Sequence, residues 1–351
     1  MNNNRNLLLD NLKGVCILFV VITHFSWTDG ERLHFLFPFW IDMAVPIFMI
    51  ISGYVYTKSF IRKKIHSLIE AYSFEYLVGK TIKYTLPYLI VFIPQVFYGE
   101  MLLNKPIGWG GVFLQGGLGP GSYYYPVMLQ FILIFPLIYC IIEKSGGIGL
   151  IVCFFINAVY EILKTVYGMN ESCYRLLIFR YIFVIAYGCF MAKDKYRLKK
   201  LASVSLGTVG LVYIYLVCYT DYYPKYIIYW TRTSFLAVLY VIPIFTMLFN
   251  KFKNISCKGI SYLGKISYDI FLIQMLYYTC LDNKISIYVG NRGVHLTINI
   301  IICTIGGVIF HLVETKASKR IENIIFNKWK ENKMEILNGL EKVLFINNEE
   351  N

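Results

Sequence analysis

The sequence predicts an all-α fold: a polytopic membrane bundle of about ten transmembrane helices with both termini in the cytoplasm. Three observations predict it. Hydrophobic residues make up 57% of the chain and charged ones only 16%, whereas a soluble globular chain covers itself with about 25% charged residues. Ten apolar runs each approach the roughly 20 residues that a helix needs to cross a hydrocarbon core. The basic residues between the runs fall 22 on one side and seven on the other, and the basic-rich side is the cytoplasmic one.

The runs cover about 12–28, 36–57, 82–98, 124–142, 148–167, 175–192, 201–219, 230–249, 262–280 and 294–314. None alternates as a barrel strand does, so each reads as a helix. The first sits where a signal peptide would, but it lacks a small-residue cleavage site and nine runs follow, so retention is expected. The net charge of +13 is then chiefly a topology signal. It points to anionic membrane lipids rather than nucleic acid, with the plasma membrane as the expected location. Nine cysteines lie mostly inside apolar runs without close pairs, which reads as packing thiols; no metal is expected.

Two segments stand outside the runs. Residues 99–123 carry glycines at 108, 110, 111, 116, 117, 119 and 121 and read either as a lid over a substrate mouth or as a connector. Beyond Thr315, Phe326, Trp329, Ile336, Leu337, Leu340, Leu344 and Phe345 recur at helical spacing, which predicts a cytoplasmic amphipathic helix. The chain divides accordingly into a membrane domain, 1–320, and a tail, 321–351.

Ionisable side chains inside apolar runs are costly and mark candidate sites. Lys13 and His24 are eleven residues apart on the first run, close to a whole number of helical turns and about 16 Å of rise. A cation near the cytoplasmic mouth and an imidazole deeper on one stripe suit a long anionic ligand. Asp42, on the second run, is placed to orient or charge-pair His24. Ser52-Gly53 on the same run permits close helix approach. Lys80 and Lys83 share a face ahead of Pro87 and either clamp a phosphate or snorkel to headgroups. Glu161 and Arg180 are candidates for an intramembrane pair. Lys265, Asp269, Gln274, His311 and Glu314 complete the set.

Together these segments resemble the acyltransferase 3 family of integral membrane acyltransferases. Lys13 and His24 match its opening pattern of a basic residue, ten residues and a His. Asp42, Phe48, Ser52, Gly53 and Tyr54 resemble its D-x-F-F-x-x-S-G-[FY] stretch. Lys80 and Lys83 fall at its paired-arginine motif, and Tyr123-Tyr124-Tyr125 through Pro136 at its aromatic segment. Leu263 to Ser267-Tyr268 with Ile270-Phe271-Leu272 resembles its L-G-x-[IL]-S-Y motif, and Val313-Glu314 its late V-E. The chain departs in having Lys for Arg at three positions, Gln274 where a His is common and Thr315 for a Pro.

The resemblance implies an O-acyltransferase that moves an acyl group, acetyl foremost, from cytoplasmic acyl-CoA to a hydroxyl of a surface or exported polysaccharide. Acetyl-CoA would be the donor, held by Lys13, Lys80 and Lys83. His24 and Asp42 would be catalytic, with His24 acting as base or as acyl carrier, and Ser52, Tyr124 and Glu314 would contact substrate. The partners implied are the glycan or another hydroxyl acceptor and membrane lipids, with a homo-oligomer left open. The competing reading is a non-enzymatic exporter of lipid-linked glycan, which more often carries internal repeats; none is found here. Acylation of a small molecule or lipid is a second alternative.

Overall fold

A computed structural model describes residues 7–104, 106–193, 198–251 and 257–349, with side chains up to Glu331 except Leu103. The described residues are helical or in loops, without strands. The principal helices are α1 (Leu7–Thr23), α2 (Ala44–Arg62), α3 (Phe74–Leu103), α4 (Tyr124–Ser145), α5 (Gly147–Val166), α6 (Ile182–Ala192), α7 (Lys200–Tyr219), α8 (Val241–Lys251), α9 (Lys258–Lys265), α10 (Ser267–Cys280) and α11 (Arg292–Glu349). Among the described residues, six helical segments are long and apolar enough to cross a membrane: Phe37–Arg62, Leu68–Leu102, Tyr124–Ser145, Gly147–Val166, Lys200–Tyr219 and Arg292–Glu331. Ile178–Ala192 and Ala237–Lys251 are apolar but shorter. Large apolar side chains such as Ile148, Ile151, Phe155 and Val159 on α5 face outward, as a lipid-facing surface requires.

Each apolar run falls on helix, yet several are interrupted. The first helix stops at Thr23, so His24 stands just beyond it. The second run begins as a short 3-10 turn, Phe37–Phe39, and becomes α-helix only at Ala44, which leaves Asp42 in the intervening turn. The run at 262–280 breaks at Ile266 into α9 and α10. The tail backbone continues α11 without a break. Within it, Trp329 stacks on Phe74 at 4.6 Å and Phe326 meets the same ring at 6.3 Å. The side chains of Ile336, Leu337, Leu340, Leu344 and Phe345 lie outside the described residues.

Two apolar cores fill the bundle. One joins α2, α4 and α6 through Met49, Phe131, Phe135 and Tyr187; the other joins α1, α3 and α10 through Ile17, Val21, Tyr88 and Met275. Close backbone approaches lock neighbouring helices together. On α2 and α6, a Cβ at Gly53 would meet the Ile185 carbonyl oxygen, and one at Gly188 would meet that of Ile50. Gly14 of α1 and Gly264 of α9 meet their partners' backbone in the same way, at Ile260 and Asp10. Small residues let helices pack where lipid offers no hydrophobic drive. Gly53 is thus a packing residue, which frees its neighbour Ser52 for another role.

Gly188→Val should therefore destabilise the bundle by about 1–3 kcal/mol through overpacking. The check is the unfolding midpoint of the detergent-purified protein, which should fall; an unchanged midpoint would mean that α2 and α6 separate there without cost.

Candidate active site

A helix that ends inside a membrane bundle frees carbonyls that must find donors. At the end of α1 three side chains supply them. Tyr278 donates its hydroxyl to the Val21 carbonyl at 2.9 Å, Trp27 its indole N–H to Ile22 at 2.7 Å, and Arg32 its guanidinium to Thr23 at 2.6 Å. The cation at the helix C-terminus adds a favourable charge–dipole term. Arg32 itself sits on a short helix, Asp29–His34, opened by a Thr28–Glu31 capping box. Arg292 of α11 ties this segment down by donating to the Ser26 carbonyl at 2.6 Å and to Glu31 at 3.0 Å. The chain can therefore leave the helix at His24 at little cost.

The imidazole of His24 is held from two sides. Its Nδ1 lies 2.8 Å from Oε1 of Gln274 on α10, whose amide nitrogen donates to the Pro120 carbonyl at 3.2 Å. A carbonyl accepts only from the amide N–H, so this bond fixes which end of Gln274 faces the ring. Nδ1 is therefore assigned the proton and Nε2 the free lone pair. Gly121, at φ +81°, lies against the ring: a Cβ there would come within 3.2 Å of the imidazole Cε1. The Tyr278 ring stands edge-on at 6.2 Å.

Three cavities are strung along this stripe. An inner chamber of about 130 Å³ is lined by Lys13, Ser52, Tyr84, Tyr124, Tyr268 and His24, among others, at the seam between the two cores. An outer cavity of about 580 Å³ shares His24, Thr23, Val45, Gly121 and Tyr123 with it and reaches Arg32, Asp42, Arg175 and Trp230. On the face where α1 begins, the tail face, a third cavity of about 610 Å³ holds Arg62, Lys63, Lys80, Lys83, Lys265 and Lys319. Tyr268 lines both it and the inner chamber, and donates to the Tyr84 carbonyl at 2.8 Å. His24 thus stands where spaces from opposite faces meet, with a tyrosine constriction on one side.

The predicted site residues distribute over these spaces. Lys13, Ser52 and Tyr124 join His24 in the inner chamber, although the helix ends one residue before the ring that the phase of α1 was expected to carry. Lys80 and Lys83 line the tail-face cavity, where the Lys80 ammonium lies 4.6 Å from the Tyr56 ring centre. Glu314 lies there too, with Asp269 and His311; His311 Nδ1 is 2.7 Å from Asp269. Asp42, expected to orient His24, is instead 3.6 Å from Arg32, because the turn before α2 directs it to the rim of the outer cavity. Glu161 and Arg180 make no direct ion pair. Glu161 accepts from Asn157 and from the Phe235 backbone, while Arg180 lies over the Tyr174, Tyr181 and Trp230 rings at 5.0, 4.8 and 4.2 Å.

Sequence reasoning missed the Gln274 contact and the carbonyl caps, while the glycine-rich segment reads from the sequence either as a lid over a substrate mouth or as a connector. The glycine-rich segment reaches the His24 ring through Pro120 and Gly121, and Gln95 fastens it by accepting from the Leu118 backbone at 3.4 Å. Its glycines were the available signal.

The fold and the site together define a helical membrane bundle that holds the His24 imidazole between an inner and an outer cavity. The chain matches the acyltransferase domain of the acyltransferase 3 family over residues 6–313 and belongs to that family. No curated protein and no solved structure matches it. The family makes it a membrane acyltransferase.

Gly121→Ala should cut acyl-transfer turnover at least tenfold while leaving most of the protein folded, since the added methyl meets the ring and a positive φ costs about 1 kcal/mol. Turnover equal to that of the unmodified protein would mean that the loop does not set the ring's position.

Proposed function

We propose that the protein transfers a short acyl group, acetyl foremost, from acyl-CoA on the cytoplasmic side to a hydroxyl of a surface or exported glycan. The observation that carries this reading is His24, with Nε2 free, at the junction of the outer cavity and the inner chamber, which itself adjoins the tail-face cavity at Tyr268. The tail face is taken as cytoplasmic because the basic excess lies there. The six cations of its cavity suit the phosphates and adenosine end of coenzyme A. Lysine offers point charges where arginine would grip bidentately.

The pantetheine arm would pass Tyr268 and bring the thioester into the inner chamber beside Lys13. At about 130 Å³ this chamber is far below the roughly 300–1,000 Å³ of a whole-ligand site. It suits the reacting end of the donor and a small acyl group, not a fatty chain.

The acceptor hydroxyl would enter from the outer cavity. His24 Nε2 takes its proton as the oxygen attacks the thioester carbonyl. The carbon–sulfur bond then breaks, and the thiolate leaves with the proton from the imidazolium. The products are an ester and free coenzyme A, and the ring returns to its starting tautomer. Gln274 keeps that tautomer throughout as a positioning residue, and a neutral amide does so without adding charge beside the base. Asp42 serves the acceptor side through Arg32, and Ser52 and Tyr124 line the path of the reacting groups.

Replacing His24 by Ala should abolish glycan acylation at equal membrane abundance. Gln274→Leu should lower kcat by on the order of 10²-fold, consistent with loss of an oriented base, with little change in the KM for acyl-CoA. Lys13→Ala should raise that KM by about tenfold, a loss of about 1.4 kcal/mol, and Lys13→Arg should raise it less. Radiolabelled acyl transfer in membranes measures all three. Retained acylation in His24→Ala would overturn the assignment, and an exporter lacking acyl-CoA turnover would show none even in the unmodified protein.

A further inference from the structure

The outer cavity is positively charged in a way that the transfer chemistry does not require. Arg32, Arg175 and Arg232 line it against a single carboxylate, Asp42. Two of the three cations are already engaged. Arg32 faces Asp42 at 3.6 Å and caps Thr23, and Arg232 donates to the exposed Asp29 at 3.1 Å.

Arg175 is not. It has neither ion pair nor hydrogen bond among the described residues, and its Nε–H is fully buried and unpartnered. The natural partner on its own short helix, Glu171 one turn earlier, gives its carboxylate to the Trp230 indole at 2.6 Å. Arg175 is half-buried and lines the cavity, so its terminal N–H groups, rather than the enclosed Nε–H, are what an acceptor there would meet. Planar donors on a rigid fork suit a carboxylate or a phosphate. Trp230, Tyr123 and Tyr181 line the same space, with Arg180 lying over the Tyr181 and Trp230 rings.

We infer that the acceptor is an anionic glycan, one carrying a carboxylate or a phosphate near the acylated hydroxyl, and that Arg175 binds that group. The inference rests on the acceptor entering by the outer cavity, as proposed above. It adds the charge class of the substrate and a specificity residue.

The test reads binding without turnover. His24→Ala protein in nanodiscs is titrated with methyl β-glucuronide, with the 6-phosphate of methyl β-glucoside and with methyl β-glucoside itself, followed by tryptophan fluorescence, Trp230 lying in the cavity wall. At least one anionic probe should bind about tenfold more tightly than the neutral one, and added salt should weaken only the anionic probes. The preference should vanish in Arg175→Gln and survive in part in Arg175→Lys, whose matching unfolding midpoints exclude a folding defect. Equal affinities, no measurable binding of either anionic probe, or a preference that persists in Arg175→Gln overturns the inference. Because no acyl transfer is read, failure of the proposed reaction would show separately, as an absence of His24-dependent transfer to every acceptor.

Discussion

The architecture of the site depends on ending one helix inside an apolar bundle. In hydrocarbon, a freed backbone carbonyl without a donor costs several kcal/mol, and α1 frees its last carbonyls next to the residue that matters most. Tyr278, Trp27 and Arg32 meet that cost from three parts of the chain. Without them the helix would gain by running on, and His24 would turn with it. The caps therefore do two things at once: they stabilise the fold, and they set the ring at the meeting point of the inner and outer cavities.

The second constraint acts through the amide of Gln274. Held by the Pro120 carbonyl, it presents only an acceptor to the ring, so the tautomer is decided by backbone that belongs to the glycine-rich segment. Asp42 is engaged by Arg32, and the cations of the tail-face cavity lie beyond the tyrosine constriction, while Lys13 shares the inner chamber with the ring. A neutral, oriented imidazole in a narrow chamber is the state that a proton-accepting role needs. The surrounding cavities divide the remaining work, with lysines toward one face and arginines with aromatic rings toward the other.

Much of this was legible in the sequence, and the division is physical. Apolar runs are local sums, so the helical bundle could be read directly. The pairing of Lys13 with His24 survived because both lie on or just past one helix, although the phase estimate assumed that the helix continued. What escaped were contacts between distant residues. Gln274 is 250 positions from His24, and a glutamine in an apolar run looks like packing until the partner is known. Asp42 was assigned to His24 on helical proximity, but the turn at 40–43 moved it to Arg32. Arg175 entered the sequence reading only as one of the basic residues on the sparser side, because its place in the outer cavity depends on distant parts of the chain.

The most direct measurement of the central claim is a structure of the protein in nanodiscs with a non-transferable thioether analogue of acetyl-CoA. The account predicts the nucleotide among Lys80, Lys83 and Arg62 on the tail face, with the acyl carbonyl carbon in the inner chamber, about 3–4 Å from the place where an oxygen bonded to His24 Nε2 would sit. An analogue bound on the Arg175 face, or one whose acyl end stops short of the tyrosine constriction, would contradict it.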